Sequence, residues 1–237
     1  VSGNALVRPS WFYDVKQQGE GIVDVMVHLV DLVQWQCFPE QAIDYTKDIK
    51  VNGASHWPTP LDPEQFKKST GLDEYPDFLQ PDVKDGALQV YANGEIDFCL
   101  KGVNAKTTVL WDFEAPAGAG DSHYCLMRGT LSNLVIRQGA EQNYKPELYI
   151  EPSADIADIE KTFETVTAKY PGVGLEKTDC GWHVVIPESY RVGHEAHFGQ
   201  VTQNFLQYLS DGALPEWEVP NMIAKYYTTT TAWKMVQ

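Results

Sequence analysis

Between Gly19 and Trp35 the chain reads GEGIVDVMVHLVDLVQW, its most hydrophobic stretch. Val23, Val25, Val27 and Leu29 alternate as they would in a strand. Over the longer window, however, the polar positions 24, 28, 31 and 34 recur at spacings of four, three and three, the stripe of a helix. The stripe decides for helix, because the propensity penalty of each valine is only on the order of a few tenths of a kcal/mol. Upstream, VSGNALVRPSWFYDVKQQ is extended and turn-like, with Pro9 biasing Arg8 away from helix.

Downstream, six prolines between positions 38 and 86 predict mostly irregular chain. It is relieved by a strand in IDYTKDIKV and a short helix in LDPEQFKK, where Asp62 is the N-cap and Pro63 the first helical residue. Alternation then takes over. In ALQVYANGEIDFCLK, Asn93-Gly94 between two alternating runs predicts a hairpin turn. Further strands follow in KTTVLWDFEA, HYCLMRG, TLSNLVIRQG and PELYIEP. SADIADIEKTFETVTAKYPG is an amphipathic helix with Ile156, Ile159, Phe163, Val166 and Tyr170 on one face, capped by Ser153 and stopped by Pro171-Gly172. A second hairpin is expected around Asp179–Gly181. A helix in GHEAHFGQVTQNFLQYLSDG should turn Phe198, Val201, Phe205 and Leu209 inward, with Gly212 after its end, and a last helix is expected in NMIAKYYTTTTAWKMV. Hairpin-linked strands flanked by helices predict an α+β fold: a largely antiparallel open β-sheet with helices packed on one face. The pattern shows no internal boundary, so residues 1–237 are expected to form a single domain.

Composition narrows the function. The formal net charge of -15 disfavours nucleic acid and anionic membrane surfaces as partners. No uninterrupted apolar run reaches bilayer length. The chain starts at Val1 rather than Met, so it is expected to be a processed or shortened piece whose cellular address, cytoplasmic or exported, is not readable. Cys37, Cys99, Cys125 and Cys180 are scattered without a CxxC, which predicts reduced, mostly buried thiols and no zinc site.

The chemistry concentrates in the first segment. Asp24, His28 and Asp31 stand at i, i+4 and i+7, and ionisable side chains are costly in an apolar run unless partnered or used. A carboxylate beside an imidazole fixes its tautomer, and a histidine so held accepts a proton near neutral pH. The competing account is a solvated helix stripe, but such stripes are usually richer in Lys, Glu and Arg. A metal site is not expected, since there is no HExxH and no second histidine at helical spacing. His194 faces inward at the start of the late helix with His197 nearby, both accountable as structural. His183 reads as structural in its strand, and His56 and His123 carry little alone. GxGxxG, Walker and GxSxG sequences are absent.

In WFYDVKQQGEGIVDVMVHLVDLVQW the pattern W-x-x-D (Trp11, Asp14), a glycine-rich G-x-G (Gly19, Gly21) and D-x-x-x-H-x-x-D (Asp24, His28, Asp31) resembles the C-terminal half of the Gfo/Idh/MocA family of glucose–fructose oxidoreductase and inositol dehydrogenase relatives. Glu20 stands where that motif has its middle glycine. HFGQVTQNFLQYLSDGALPEWE resembles oxidoreductases of the Bacteroidetes type. The motif spans about 25 residues, and the downstream order of strands and helices fits the rest of the chain.

The resemblance implies a substrate-binding and catalytic half of an NAD(P)-dependent oxidoreductase acting on a sugar, cyclitol or derivative. The position of His28 is the family's acid/base on the reacting hydroxyl, and that of Asp24 orients it or contacts substrate. Asp31, Trp11, Tyr13, Lys16 and His194 are expected around the substrate. NAD or NADP would sit in an N-terminal Rossmann domain absent from this chain, so none is expected here and the chain alone is expected to be inactive. Two alternatives stay open: an NAD-dependent glycoside hydrolase half of the same superfamily, or a non-catalytic oligomerisation or scaffold domain. A homo-oligomer through the sheet face is also expected.

Overall fold

The computed structural model describes residues 6–152 and 159–237, with the side chain of His194 left aside. The fold is α+β, and the described residues form two antiparallel sheets and six α-helices. Contacts divide the chain into two compact units, Val1–Glu114 with Gly212–Gln237 and Ala115–Asp211, where the sequence shows no boundary.

In the first unit a short α1 (Val15–Gln18) and α2 (Met26–Cys37) precede β1 (Ile49–Leu61), α3 (Pro63–Thr70), β2 (Val83–Lys84), β3 (Ala87–Leu100) and β4 (Val103–Val109). Strand β3 is the spine, pairing β1 along one edge and β2 and β4 along the other. Strand β1 is far longer than the proline-rich composition predicts. It holds Pro58 and Pro60 because it is an edge strand, and its register shifts between Trp57 and Thr59, where a missing N–H is tolerated. Helix α3 forms as predicted: Asp62 accepts from the Gln65 amide at 2.8 Å and Gln65 returns the bond to the Asp62 amide, a complete capping box.

Asn93-Gly94 is not a turn, which corrects the hairpin expected there; β3 runs straight through it. The Asn93 side chain is buried and donates to Thr59 Oγ1 (2.8 Å) and the Trp57 carbonyl (3.1 Å), while its oxygen accepts from the Trp111 amide (2.8 Å). Gly94 leaves room for Ile22, whose Cβ would lie 2.7 Å from a Cβ placed there. The real two-residue turns are Asp85-Gly86 and Lys101-Gly102, all four residues at positive φ.

The core of this unit has two parts. Ile22, Met26 and Val30 pack with Ala224 and Ala232 of the last helix, α6 (Glu218–Met235), over Ile96, Phe98 and Leu100. Tyr13, Leu61, Phe66, Leu79, Leu88 and Val90 form the other.

The second unit holds β5 (His123–Arg128), β6 (Ser132–Gln138), β7 (Glu147–Pro152), α4 (Ile159–Lys169), β8 (Gly174–Thr178), β9 (Gly181–Val185) and α5 (His194–Asp211). The sheet order is β5-β6-β7-β9-β8, and the predicted hairpin closes with Thr178 opposite Gly181. Phe163 and Val166 of α4 pack on Ile150 and Val184. Ser153 and Ile156, expected in that helix, lie outside the described residues. Helix α5 forms at its predicted place, but the inward orientation of its stripe is corrected. Val201, Phe205 and Leu209 are 64%, 59% and 66% exposed.

Candidate functional site

Helix α2 starts at Met26, two residues after Asp24. The preceding segment is a tight coil fixed from beneath. The Glu20 carbonyl accepts from the amides of Val23 (2.9 Å) and Asp24 (2.8 Å), and the Gly21 carbonyl accepts from Met26 (3.1 Å). A side chain on Gly21 is excluded, since its Cβ would lie 1.8 Å from the Ala92 carbonyl oxygen of β3. Ile22, fully buried, drives into the space over Gly94. Backbone apposition thus presses the GEG segment onto the sheet and turns Asp24 outward.

The Glu20 side chain holds the same segment from the other side. It is 9% exposed, and both oxygens are used. His56 Nδ1 of β1 donates to Oε2 at 2.5 Å, while Trp233 Nε1 and Gln237 Nε2 from the C-terminal end each donate to Oε1 at 3.1 Å. The His56 ring lies 4.7 Å from that of Tyr91. The residue that interrupts the glycine motif is therefore a buried hub joining three parts of the unit. Sequence reasoning gave His56 little weight and noted Glu20 only as the residue in place of the motif's middle glycine. The available signal was an acid in a glycine-rich turn that nothing local could neutralise.

Asp24 is exposed and accepts from Gln18 Nε2 at 3.1 Å. It stands on the wall of a cavity of about 170 Å³ shared with Phe12, Tyr13, Tyr91 and Trp111. Those aromatic walls were not predicted, Tyr13 excepted. Tyr13 is buried and its hydroxyl bonds Ser69 Oγ, so it serves the core as well as the cavity. Asp14 of the W-x-x-D element is buried as the cap of α1, accepting from the Lys16 amide (3.0 Å) and Gln17 Nε2 (2.7 Å). Trp11 and Lys16 are exposed and do not line the cavity.

His28 is exposed on the first turn of α2. Among the described residues no hydrogen bond or ion pair joins it to Asp24. The ladder between them is irregular: Met26 reaches back five residues to Gly21, and His28 three to Val25 at 3.1 Å. Asp31, one turn on, is half-buried and faces Lys225 Nζ of α6 at 3.6 Å. Gln34, the last member of the polar stripe, is buried, because there the helix has rotated beneath α6. The stripe thus runs from open surface at 24 and 28 to core at 34. His194 opens α5 in the other unit, and its side chain lies outside the described residues.

Elsewhere, His183 is structural as expected. It bonds Glu147 Oε2 at 2.9 Å, and Arg191 reaches the same oxygen at 2.9 Å. A second cavity, about 240 Å³, lies beside Tyr149, Cys180 and Arg137, but that guanidinium is already paired with Glu151. No disulfide joins the four cysteines; Cys37, Cys99 and Cys125 are half-buried, and Cys180 is exposed rather than buried. Among the described residues no cluster of His, Cys, Asp and Glu is disposed to hold a metal, and no helix is long and apolar enough to cross a membrane.

Comparison with known proteins agrees with this architecture. A crystal structure of a "putative oxidoreductase" from Parabacteroides merdae superposes with a TM-score of 0.95 at 55% sequence identity, covering 99% of this chain and 55% of that one. The chain thus spans about half the length of that relative. No match is found among curated proteins. The family described as "Putative oxidoreductase C terminal domain" matches residues 1–237, and the chain belongs to it.

Proposed function

We propose that this chain is the substrate-binding and catalytic-acid half of an NAD(P)-dependent oxidoreductase acting on a sugar, cyclitol or related polyol. The observation that carries the reading is Asp24, held at the wall of an aromatic cavity by a backbone that cannot shift, one turn ahead of the exposed His28. A cavity of about 170 Å³ is smaller than the ligand sites of whole proteins. That is the size expected of one wall of a cleft whose other wall belongs to a nucleotide domain.

The chain has no G-x-G-x-x-G, so its own residues offer no dinucleotide cradle, and the nicotinamide would come with that other domain. A nicotinamide bound there would supply the hydride acceptor for the substrate carbon. His28 takes the hydroxyl proton as the carbonyl forms and returns it in the reverse reaction. Asp24 accepts from a neighbouring substrate hydroxyl and sets the carbon in line. Phe12, Tyr91 and Trp111 cover the apolar ring face and exclude water.

The test is NAD(P) reduction by the full-length protein over a panel of sugars, cyclitols and glycosides. His28→Ala should lower kcat by about a hundredfold or more, and Asp24→Asn should raise KM. Unchanged turnover in His28→Ala overturns the assignment. In calorimetry the 237 residues alone should show no tight nicotinamide binding.

A further inference from the structure

We propose that α5 is a self-association surface, and that its occupant is the α5 of a second copy of this chain, related by a twofold axis. The proposal is independent of the catalytic reading.

Three features carry it. The first is exposure without charge. The chain carries a net charge of -15, yet from Ala196 to Ser210 there is no Asp, Glu, Lys or Arg. Charge depletion around large apolar side chains marks the centre of an interface. In a strongly acidic protein, self-association requires such a neutral face. Val201, Phe205, Leu206 and Leu209 are each more than half exposed, far beyond the scattered apolar residues of an ordinary surface.

The second feature is spacing. Phe198, Val201, Phe205 and Tyr208 fall at i, i+3, i+7 and i+10, the a and d positions of two heptads. With two helices antiparallel about Gln203, Phe198 of one copy meets Tyr208 of the other, and Val201 meets Phe205. Each layer then occurs twice, as a twofold contact requires. Leu209 lies beside this seam.

The third is charge placement. His197 and Asp211 occupy the same flank of α5, two turns either side of its centre. In the antiparallel arrangement His197 of each copy stands by Asp211 of the other, and Glu195 falls on the opposite flank. Helix ends of opposite dipole also come together. A parallel, in-register pairing would leave His197 and Asp211 of the two copies about four turns apart.

The experiment is sedimentation of the full-length protein over a range of concentrations, with Phe205→Glu and, on the opposite face of α5, Gln200→Glu. The expected result is a concentration-dependent dimer, weakened at least tenfold by Phe205→Glu and unchanged by Gln200→Glu. Circular dichroism should give equal helix content for both variants; if Phe205→Glu unfolds, Leu209→Lys replaces it. A monomer at all concentrations, or a dimer indifferent to Phe205→Glu and Leu209→Lys, overturns the proposal. In the first case the face belongs to another part of the same polypeptide; in the second the dimer uses another surface.

Discussion

His56 Nδ1 lies 2.5 Å from Glu20 Oε2, with both side chains almost out of solvent, 36 residues apart in sequence. The other Glu20 oxygen ties down Trp233 and Gln237. Removing the carboxylate therefore strands three donors at once. Glu20→Ala should lower unfolding stability by about 3 kcal/mol, the range for breaking a buried charged hydrogen-bond pair. Glu20→Gln keeps an acceptor and should lose about 1 kcal/mol. Urea denaturation followed by tryptophan fluorescence measures both; equal losses would show that charge, not acceptor count, is what the hub supplies.

The GEG turn carries a second constraint, from volume. At Gly21 an added Cβ meets backbone oxygen, which cannot move aside; at Gly94 it meets the Ile22 side chain, which can yield a little. Gly94→Ala should cost about 1–3 kcal/mol. Gly21→Ala should cost more and displace Asp24, so that any substrate affinity falls with stability. Thermal melts of the two variants side by side give the ranking. A Gly21→Ala variant as stable as Gly94→Ala would contradict the close apposition to β3.

Asp24 and His28 make the opposite prediction. Both are exposed, and neither is buried among apolar groups. Surface changes away from caps and networks shift stability by about 0.5 kcal/mol or less. Asp24→Asn and His28→Ala should therefore melt within about 2 °C of the wild type. A large loss of stability in either would identify a structural role and weaken the catalytic assignment.

Local signals in the sequence translated where one element decided the outcome. Asp62-Pro63 is an example: the cap and the first helical residue are adjacent, and the helix begins between them. Asp62→Ala should cost about 1 kcal/mol, checked by the same denaturation assay. Signals failed where tertiary contacts compete. Asn93-Gly94 has turn chemistry, but its amide is consumed by β1 and its missing Cβ by Ile22, residues far away in sequence. Pro58 and Pro60 argued against a strand because the pattern could not show that β1 is an edge. The apolar stripe of α5 read as core because periodicity identifies a face to be covered and is silent on what covers it. In the site, Asp24 and His28 were legible as ionisable residues in an apolar run. Tyr91 and Trp111 were not, since each reaches the cavity only through the pairing of β3 with its neighbours.

In the second unit, Glu147 links acidity to stability. Burial pushes its carboxyl pKa up, but the hydrogen bonds from His183 and Arg191 outweigh burial, and the net effect holds it below the ordinary glutamate value. A group whose pKa is depressed by folding binds its proton more readily when unfolded. Its contribution to stability is present above the unfolded value, about 4.3, and is lost as pH falls through the folded one. Wild-type stability should thus decline between about pH 5 and pH 3 more steeply than that of Glu147→Gln, which cannot titrate. Arg191→Ala should flatten the profile part of the way, since His183 still donates to the same oxygen. Unfolding free energies at half-unit intervals of pH decide the matter: parallel profiles for wild type and Glu147→Gln would place the acid sensitivity elsewhere.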